Sequence, residues 1–257
     1  MSHITNSTDP APRKKINVQP ETTLDSPWED QRKFGHELAN VFTTIVAISE
    51  LLLLRACDSS DTEVIRLATD LRRVTTNAGR LLHRVNEIQE LESGKRKLTL
   101  RRGNLVTVLN NAIHRLIYDS EEIDCINLSC NVDDALVEMD HSLLPAGFCE
   151  IIQNAVDHTT SNLLPDQRTV HISLRSTDAN YVTEVSNSGP PISSDRLATF
   201  FEKFNTDRTR KNNIGTGLGT TLARLIFQAH RGHICVVSDD IQGTVVTISI
   251  PKAVPQT

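Results

Sequence analysis

No long hydrophobic run occurs in this 257-residue sequence: apolar stretches reach only four residues, as in LLLL at 51–54. That is far short of the roughly 20 residues a membrane-spanning helix needs. The N-terminus, MSHITNSTDPAPRKK, has no apolar core behind its charges, so no secretory leader of the usual kind is expected. A soluble, cytoplasmic protein is expected. A basic excess is also lacking. The 27 Lys and Arg are outnumbered by 32 Asp and Glu, for a net charge of −5, and the RKK at 13–15 is a short patch in a polar tail. Nucleic acid binding normally needs a basic stripe or patch, so no nucleic acid partner is expected. Aromatics make up only 4%. The five cysteines (Cys57, Cys125, Cys130, Cys149 and Cys235) show no repeated metal-ligand spacing, since Cys125 and Cys130 are separated by four residues rather than two. They read as free thiols in a reducing compartment. A hydrophobic fraction of 38% and this length are compatible with one or two domains with a real core.

Two periodic segments are present. In the first, Phe34, Leu38, Val41, Ile45, Ile48 and Leu52 are spaced in alternating steps of four and three. In the second, Val64, Leu67, Leu71, Val74, Ala78, Leu81, Val85 and Ile88 continue the same rhythm and stop at Gly94. Alternating steps of this kind make a heptad seam on a helix. ACDSSDTE interrupts the two, with Ser60 or Asp61 able to cap the second helix. Two helices joined by a short turn predict an antiparallel hairpin. Phe42, Leu51, Leu53, Leu82 and Leu91 widen its apolar face, so pairing of two hairpins into a four-helix bundle, a homodimer, is expected. The alternative is that the hairpin packs on the domain that follows.

After Gly94 the texture changes. The pattern predicts helices over 104–119, from Pro145 to Thr159 and from Gly219 to Gln228, strands at 125–130, 134–139, HISLRS and YVTEVSN, and a terminal hairpin whose turn contains Gly243. The expected fold class is α+β: the helical hairpin followed by an α/β sandwich with helices on one face of a mixed sheet. The expected segments are a flexible 1–27, the hairpin at 28–94, the sandwich at 97–252 and a flexible tail at 253–257.

Four features of the second domain bear on chemistry. Glu150 and Asn154 stand four apart and share one helix face. They could serve a hard cation such as Mg2+, which prefers oxygen ligands, or simply line a wet surface. SNSGPPI at 186–192 follows a strand. Asn187 can accept from an adenine amino group or donate to a ring nitrogen, and Gly189 permits close approach, although a plain turn would look the same. IGTGLGT at 214–220 leads into a helix and can cradle phosphates with backbone N–H groups, yet it is neither the phosphate loop nor the dinucleotide fingerprint. FFEKFNTDRTRKNN between them reads as a mobile lid or an exposed loop.

The order of these features, behind a helix carrying FGHELAN, resembles the catalytic core of sensor histidine kinases over roughly residues 30–252. His36 with Glu37 resembles the phosphoacceptor box, Glu150 to His158 the N box, and Asn187 with Gly189 the first glycine box. Phe201 and Phe204 resemble the F box, Gly215, Thr216, Gly217, Leu218 and Gly219 the second glycine box, and Gly243 a last small glycine motif. The resemblance implies a Bergerat-type ATP-binding sandwich using ATP and Mg2+. It implies His36 as nucleophile, Glu37 as its base or orienting group, Asn154 as metal ligand and Glu150 beside the cation. His158, Asn187, Gly189, Phe204 and residues 215–219 become nucleotide-binding positions. Its partners would be a response regulator receiver domain and, since no sensor segment precedes residue 28, a separate sensor or input protein unless the chain is shortened. Asn40, one turn from His36, is where family members orient the water that hydrolyses the regulator's phospho-aspartate, which implies phosphatase activity. The alternatives are a phosphotransfer adaptor with a degenerate ATP fold, or another ATPase of that fold.

Three positions depart from the family pattern. Asn187 replaces an Asp, which removes the negative charge from its hydrogen bond. Val41 stands where a proline commonly bends the helix. Asp157 takes the place of a basic residue, a contact that Arg208, Arg210 or Lys211 would have to replace.

Overall fold

The computed structural model describes residues 43–55, 62–119, 125–205 and 216–254. Helix α1 occupies 43–55 and α2 runs Thr62–Glu92. No proline interrupts α2, and Gly79 has open space around it. The helix ends at Gly94, which adopts φ +66°, while Ser93 and Arg96 donate back to the carbonyls of Gln89 and Glu90. A left-handed residue just past the last turn lets the chain leave the axis while the last carbonyls stay bonded. The small residues Ser49, Ala68 and Thr75 are buried.

The second unit is built from β1 (Leu100–Asn104), α3 (Leu105–Asp119), β2 (Ile126–Cys130), β3 (Leu136–Asp140), α4 (Leu143–Asn162), β4 (Val170–Ser176), β5 (Asn180–Asn187), α5 (Ser194–Ala198), α6 (Gly219–Ala229), β6 (His233–Asp239) and β7 (Gly243–Pro251). Five strands form one mixed sheet in the order β2-β4-β5-β7-β6, parallel only between β2 and β4. Strict alternation sets its inner face. Along β7, Thr244, Val246, Ile248 and Ile250 point inward, and Val246 pairs with Val185, which pairs with Ile172. With α3, α4 and α6 these side chains make one core, in which Phe148 of α4 meets Phe227 of α6 edge-on at 5.0 Å between ring centres. The outer face is polar, with Arg175 and Glu184 paired at 3.3 Å across neighbouring strands.

The sequence pattern located α3, α4, α6 and the strands β2 to β7, but not β1, the short α5 or the separate two-stranded sheet of β1 and β3. Five-residue strands with charged outer positions carry too weak an alternation to announce a pairing. The seam of α2 is divided. Its last part, with Ile88 buried and Leu81, Val85 and Leu91 partly so, packs into the core of the second unit, as the alternative reading of the hairpin anticipated.

Asp140 joins several of these parts. Its carboxylate accepts from the N–H of Thr99 (3.0 Å), the N–H and Oγ of Ser142 (2.9 and 2.7 Å) and the N–H of Leu143 (3.2 Å), closing the N-terminus of α4. Burial pushes the Asp140 acid up, but those donors prevail and hold it well below the usual carboxylate range. Its own N–H donates to Nε2 of His230, 3.0 Å away, whose Nδ1 lies 2.7 Å from the carbonyl of Ile226. Since a carbonyl only accepts, the His230 proton sits on Nδ1.

Candidate nucleotide site

Helix α4 carries the stripe that organises the site. Glu150, Asn154 and His158 lie four apart on one face, spanning about 12 Å along the axis at 1.5 Å per residue. At the His158 end, the helix meets the end of β5. Asn187, 6% exposed, places its Nδ2 3.1 Å from Nδ1 of His158 and 3.0 Å from the carbonyl of Ser188, which also accepts from Oγ1 of Thr159 at 2.9 Å. Gly189 has φ +137°, and a Cβ there would stand 2.9 Å from the His158 ring. Glycine is required here for both conformation and space.

At the Glu150 end, α4 faces the N-terminus of α6. A Cβ on Gly219 would come within 2.4 Å of the Glu150 carboxylate. Arg84 of α2 holds the same carboxylate with two contacts of 2.8 Å, Nε to Oε1 and Nη2 to Oε2. A planar guanidinium matches a carboxylate in this way where a lysine would not. Gly217, at φ +66°, accepts from the N–H of Phe204 at 2.9 Å, with no room for a side chain against that backbone. Phe204 itself has φ +63° and a largely exposed ring. Thr220 and Thr221 donate to the carbonyls of Phe200 and Phe201 at 2.9 and 3.0 Å, binding the start of α6 to the segment that follows α5.

The candidate residues therefore fall into two clusters joined by α4: Asn187, Gly189 and His158 at one end, Glu150, Gly217 and Gly219 at the other, with Asn154 half-buried between them. Leu218 is 1% exposed, so its side chain serves the core and only its backbone faces the loop. Thr216 Oγ1 is buried with no hydrogen-bond partner among the described residues. His36, Glu37, Asn40 and residues 206–215, Gly215 among them, lie outside the described residues. A cavity of about 350 Å³ opens beside Asn187 and Gly189 toward the β6–β7 turn, but nothing from α4 or the glycine segment lines it, so it is not this site. Sequence reading missed Arg84 and Thr159. Arg84 is 66 positions from its partner with no periodic signal to mark it, whereas Thr159 stood next to His158 and was open to notice.

Comparison with known proteins bears on the same residues. Residues 140–254 match the family described as histidine kinase-, DNA gyrase B- and HSP90-like ATPase. The fold matches that of full-length ShkA solved in complex with AMPPNP, with a TM-score of 0.71, 19% identity, and coverage of 89% of this chain and 47% of that one. The chain resembles a sensor histidine kinase catalytic core. The sensor histidine kinase RppB of Synechocystis sp. is 28% identical over 236 residues, covering 87% of this chain and 50% of RppB. The histidine kinase ThkA in complex with the response regulator protein TrrA shares the fold at a TM-score of 0.55 and 20% identity, over 91% of this chain and 68% of that one. The chain spans about half the length of the curated relatives it matches. The chain thus combines a domain that matches this ATPase family with adjoining helices, and no described helix is long and apolar enough to cross a membrane.

Proposed function

We propose that this kinase core transfers the γ-phosphoryl group of ATP to His36 and then to an aspartate of a response regulator receiver domain. The observation that carries the reading is the stripe Glu150, Asn154 and His158, which joins the glycine-bounded cluster at the end of β5 to the glycine-bounded cluster at the start of α6. One end suits a purine base. The other offers backbone N–H groups at a helix N-terminus, which favour phosphate oxygens. Thr216, with its unpartnered hydroxyl beside that loop, adds a donor suited to an anion.

In this reading Nε2 of His36 attacks the γ-phosphorus in line with the departing ADP oxygen, and Glu37 draws the proton from, or orients, the imidazole. The described residues contain no cluster of three acidic, His or Cys ligands. Mg2+ keeps several waters and binds through few protein groups plus substrate phosphates, and Asn154 would hold it through its amide oxygen. When bound, Mg2+ supplies charge neutralisation at the phosphates. Glu150, engaged by Arg84, keeps the carboxylate beside Gly219 in place. Asn40 orients a water toward the regulator's phospho-aspartate, giving phosphatase activity. The exposed stripe Val64, Leu67, Leu71 and Val74 supports a homodimer through a four-helix bundle, and a cytoplasmic location goes with the whole reading.

Incubation with γ-labelled ATP and Mg2+ is expected to give an acid-labile, base-stable phosphoprotein that His36→Ala abolishes. Label that survives in His36→Ala would remove the phosphoacceptor assignment, and a protein that binds no nucleotide would be an adaptor instead. Asn40→Ala is expected to lose regulator dephosphorylation while keeping autophosphorylation. Equal loss of both would mean a packing role.

A further inference from the structure

Asn187 stands where a carboxylate would accept a hydrogen bond in either orientation. An amide accepts through one end only, so what it offers a ligand depends on what holds it. The carbonyl of Ser188 can only accept, so the amide atom 3.0 Å from it must be the nitrogen. That nitrogen carries two hydrogens, and the second faces Nδ1 of His158 at 3.1 Å. Nδ1 must then be the accepting ring nitrogen, with the ring proton on Nε2. Both amide hydrogens are engaged within the protein, so Asn187 has none left for a ring nitrogen of the base, and Oδ1 is the atom it offers. Thr159 holds the Ser188 carbonyl from the other side, and Gly189 lets the His158 ring approach.

We propose that His158 is a positioning residue which locks the Asn187 amide with Oδ1 as its free group and so selects adenine over guanine. The proposal rests on the ATP-binding reading above. Adenine presents an amino donor on its six-membered ring where guanine presents a carbonyl acceptor. A fixed Oδ1 accepts from the first and opposes the second. Once His158 no longer accepts, only the Ser188 carbonyl still holds the amide, so turning it over to donate to the guanine carbonyl costs one hydrogen bond instead of two. A buried polar group facing the wrong partner is what makes such a site discriminate.

The test is calorimetric titration of the full chain with ATP and with GTP, each with Mg2+. The wild type is expected to prefer ATP. In His158→Leu the ATP-to-GTP affinity ratio is expected to fall about tenfold, the size of one misdirected hydrogen bond. His158→Asn, whose side-chain oxygen stands near the position of Nδ1, is expected to keep the preference. Asn187→Asp combined with His158→Leu is expected to keep it as well, because a carboxylate needs no orienting partner. An unchanged ratio in His158→Leu, or equal weakening of both nucleotides, would overturn the proposal while leaving the ATP site standing. Absence of any nucleotide binding by the wild type would overturn the ATP site first and the selectivity with it. Nitrogen NMR of the wild-type imidazole gives a reading free of folding defects: a protonated Nε2 is expected, and a protonated Nδ1 contradicts the assignment.

Discussion

Along α2 the same seam meets two different surroundings. Val64, Leu67, Leu71 and Val74 are between 42% and 59% exposed. A few turns later Leu81, Val85 and Leu91 are partly buried and Ile88 is 2% exposed, all against the ATP-binding domain. The spacing of apolar residues is alike in both halves, so periodicity identifies a face that must be covered without identifying what covers it. In the lower half the cover is this chain's own domain, reinforced by Arg84 to Glu150 and by Lys203 to Glu92 at 2.7 Å. The upper half retains an apolar stripe of the kind that a second hairpin would cover.

Four experiments break or sharpen that contrast. The largest effect is expected from Ile88→Ala, which removes buried volume at the junction and should cost about 2–4 kcal/mol in urea unfolding. A loss below about 1 kcal/mol would mean that the lower half does not share the domain's core. Next is Arg84→Ala, which leaves the Glu150 carboxylate beside Gly219 without its partner. About 1–2 kcal/mol is expected, discounted because both side chains keep some solvent contact. A double-mutant cycle of Arg84→Ala with Glu150→Gln measures the coupling, and additivity would remove the ion pair from the junction.

The third concerns the platform under α2. His230, at the end of α6, lies below its ordinary value of 6.5, chiefly through burial, against a raising influence from its bond to Ile226. A group depressed in the folded state binds fewer protons there than in the unfolded chain. Its contribution is therefore complete above about pH 6.5 and is lost as pH falls through the window beneath. Protonation would set a ring N–H against the N–H of Asp140. His230→Gln should flatten the fall in stability below pH 6.5 relative to wild type, and an unchanged slope would rule His230 out as its source. The smallest change in fold stability is expected from Leu71→Ala, within about 0.5 kcal/mol in dilute solution, where sedimentation should instead report weaker self-association. A loss comparable to that of Ile88→Ala would mean that the upper stripe is already covered within one chain.

Much of the second unit was legible before any coordinates. The alternation in VHISLRS and TVVTISI marks strands that are buried on one side, and the glycines at 189, 217 and 219 mark places where a side chain would strike His158, the Phe204 backbone or Glu150. What was not legible came from contacts between distant positions. Nothing near Arg84 signals a carboxylate 66 residues on, and the pairing of β1 with β3 is too short to leave a pattern. Asn187 is intermediate between these. Its departure from the family's acid was visible in the sequence, but the loss of both its amide hydrogens to Ser188 and His158 was not.

The sequence by itself determined the repeating elements, because helix and strand periods are local properties of the chain. It also determined the ordered set of small, amide and charged residues from which a phosphoryl-transfer site can be built. Only the tertiary structure decided which half of α2 rests on the ATP-binding domain, that Glu150 is held by Arg84, and which end of the Asn187 amide is free. Each depends on the direction of a side chain toward a partner far along the chain, and hydrogen bonds and ion pairs act over about 3 Å, a distance that spacing in sequence does not specify.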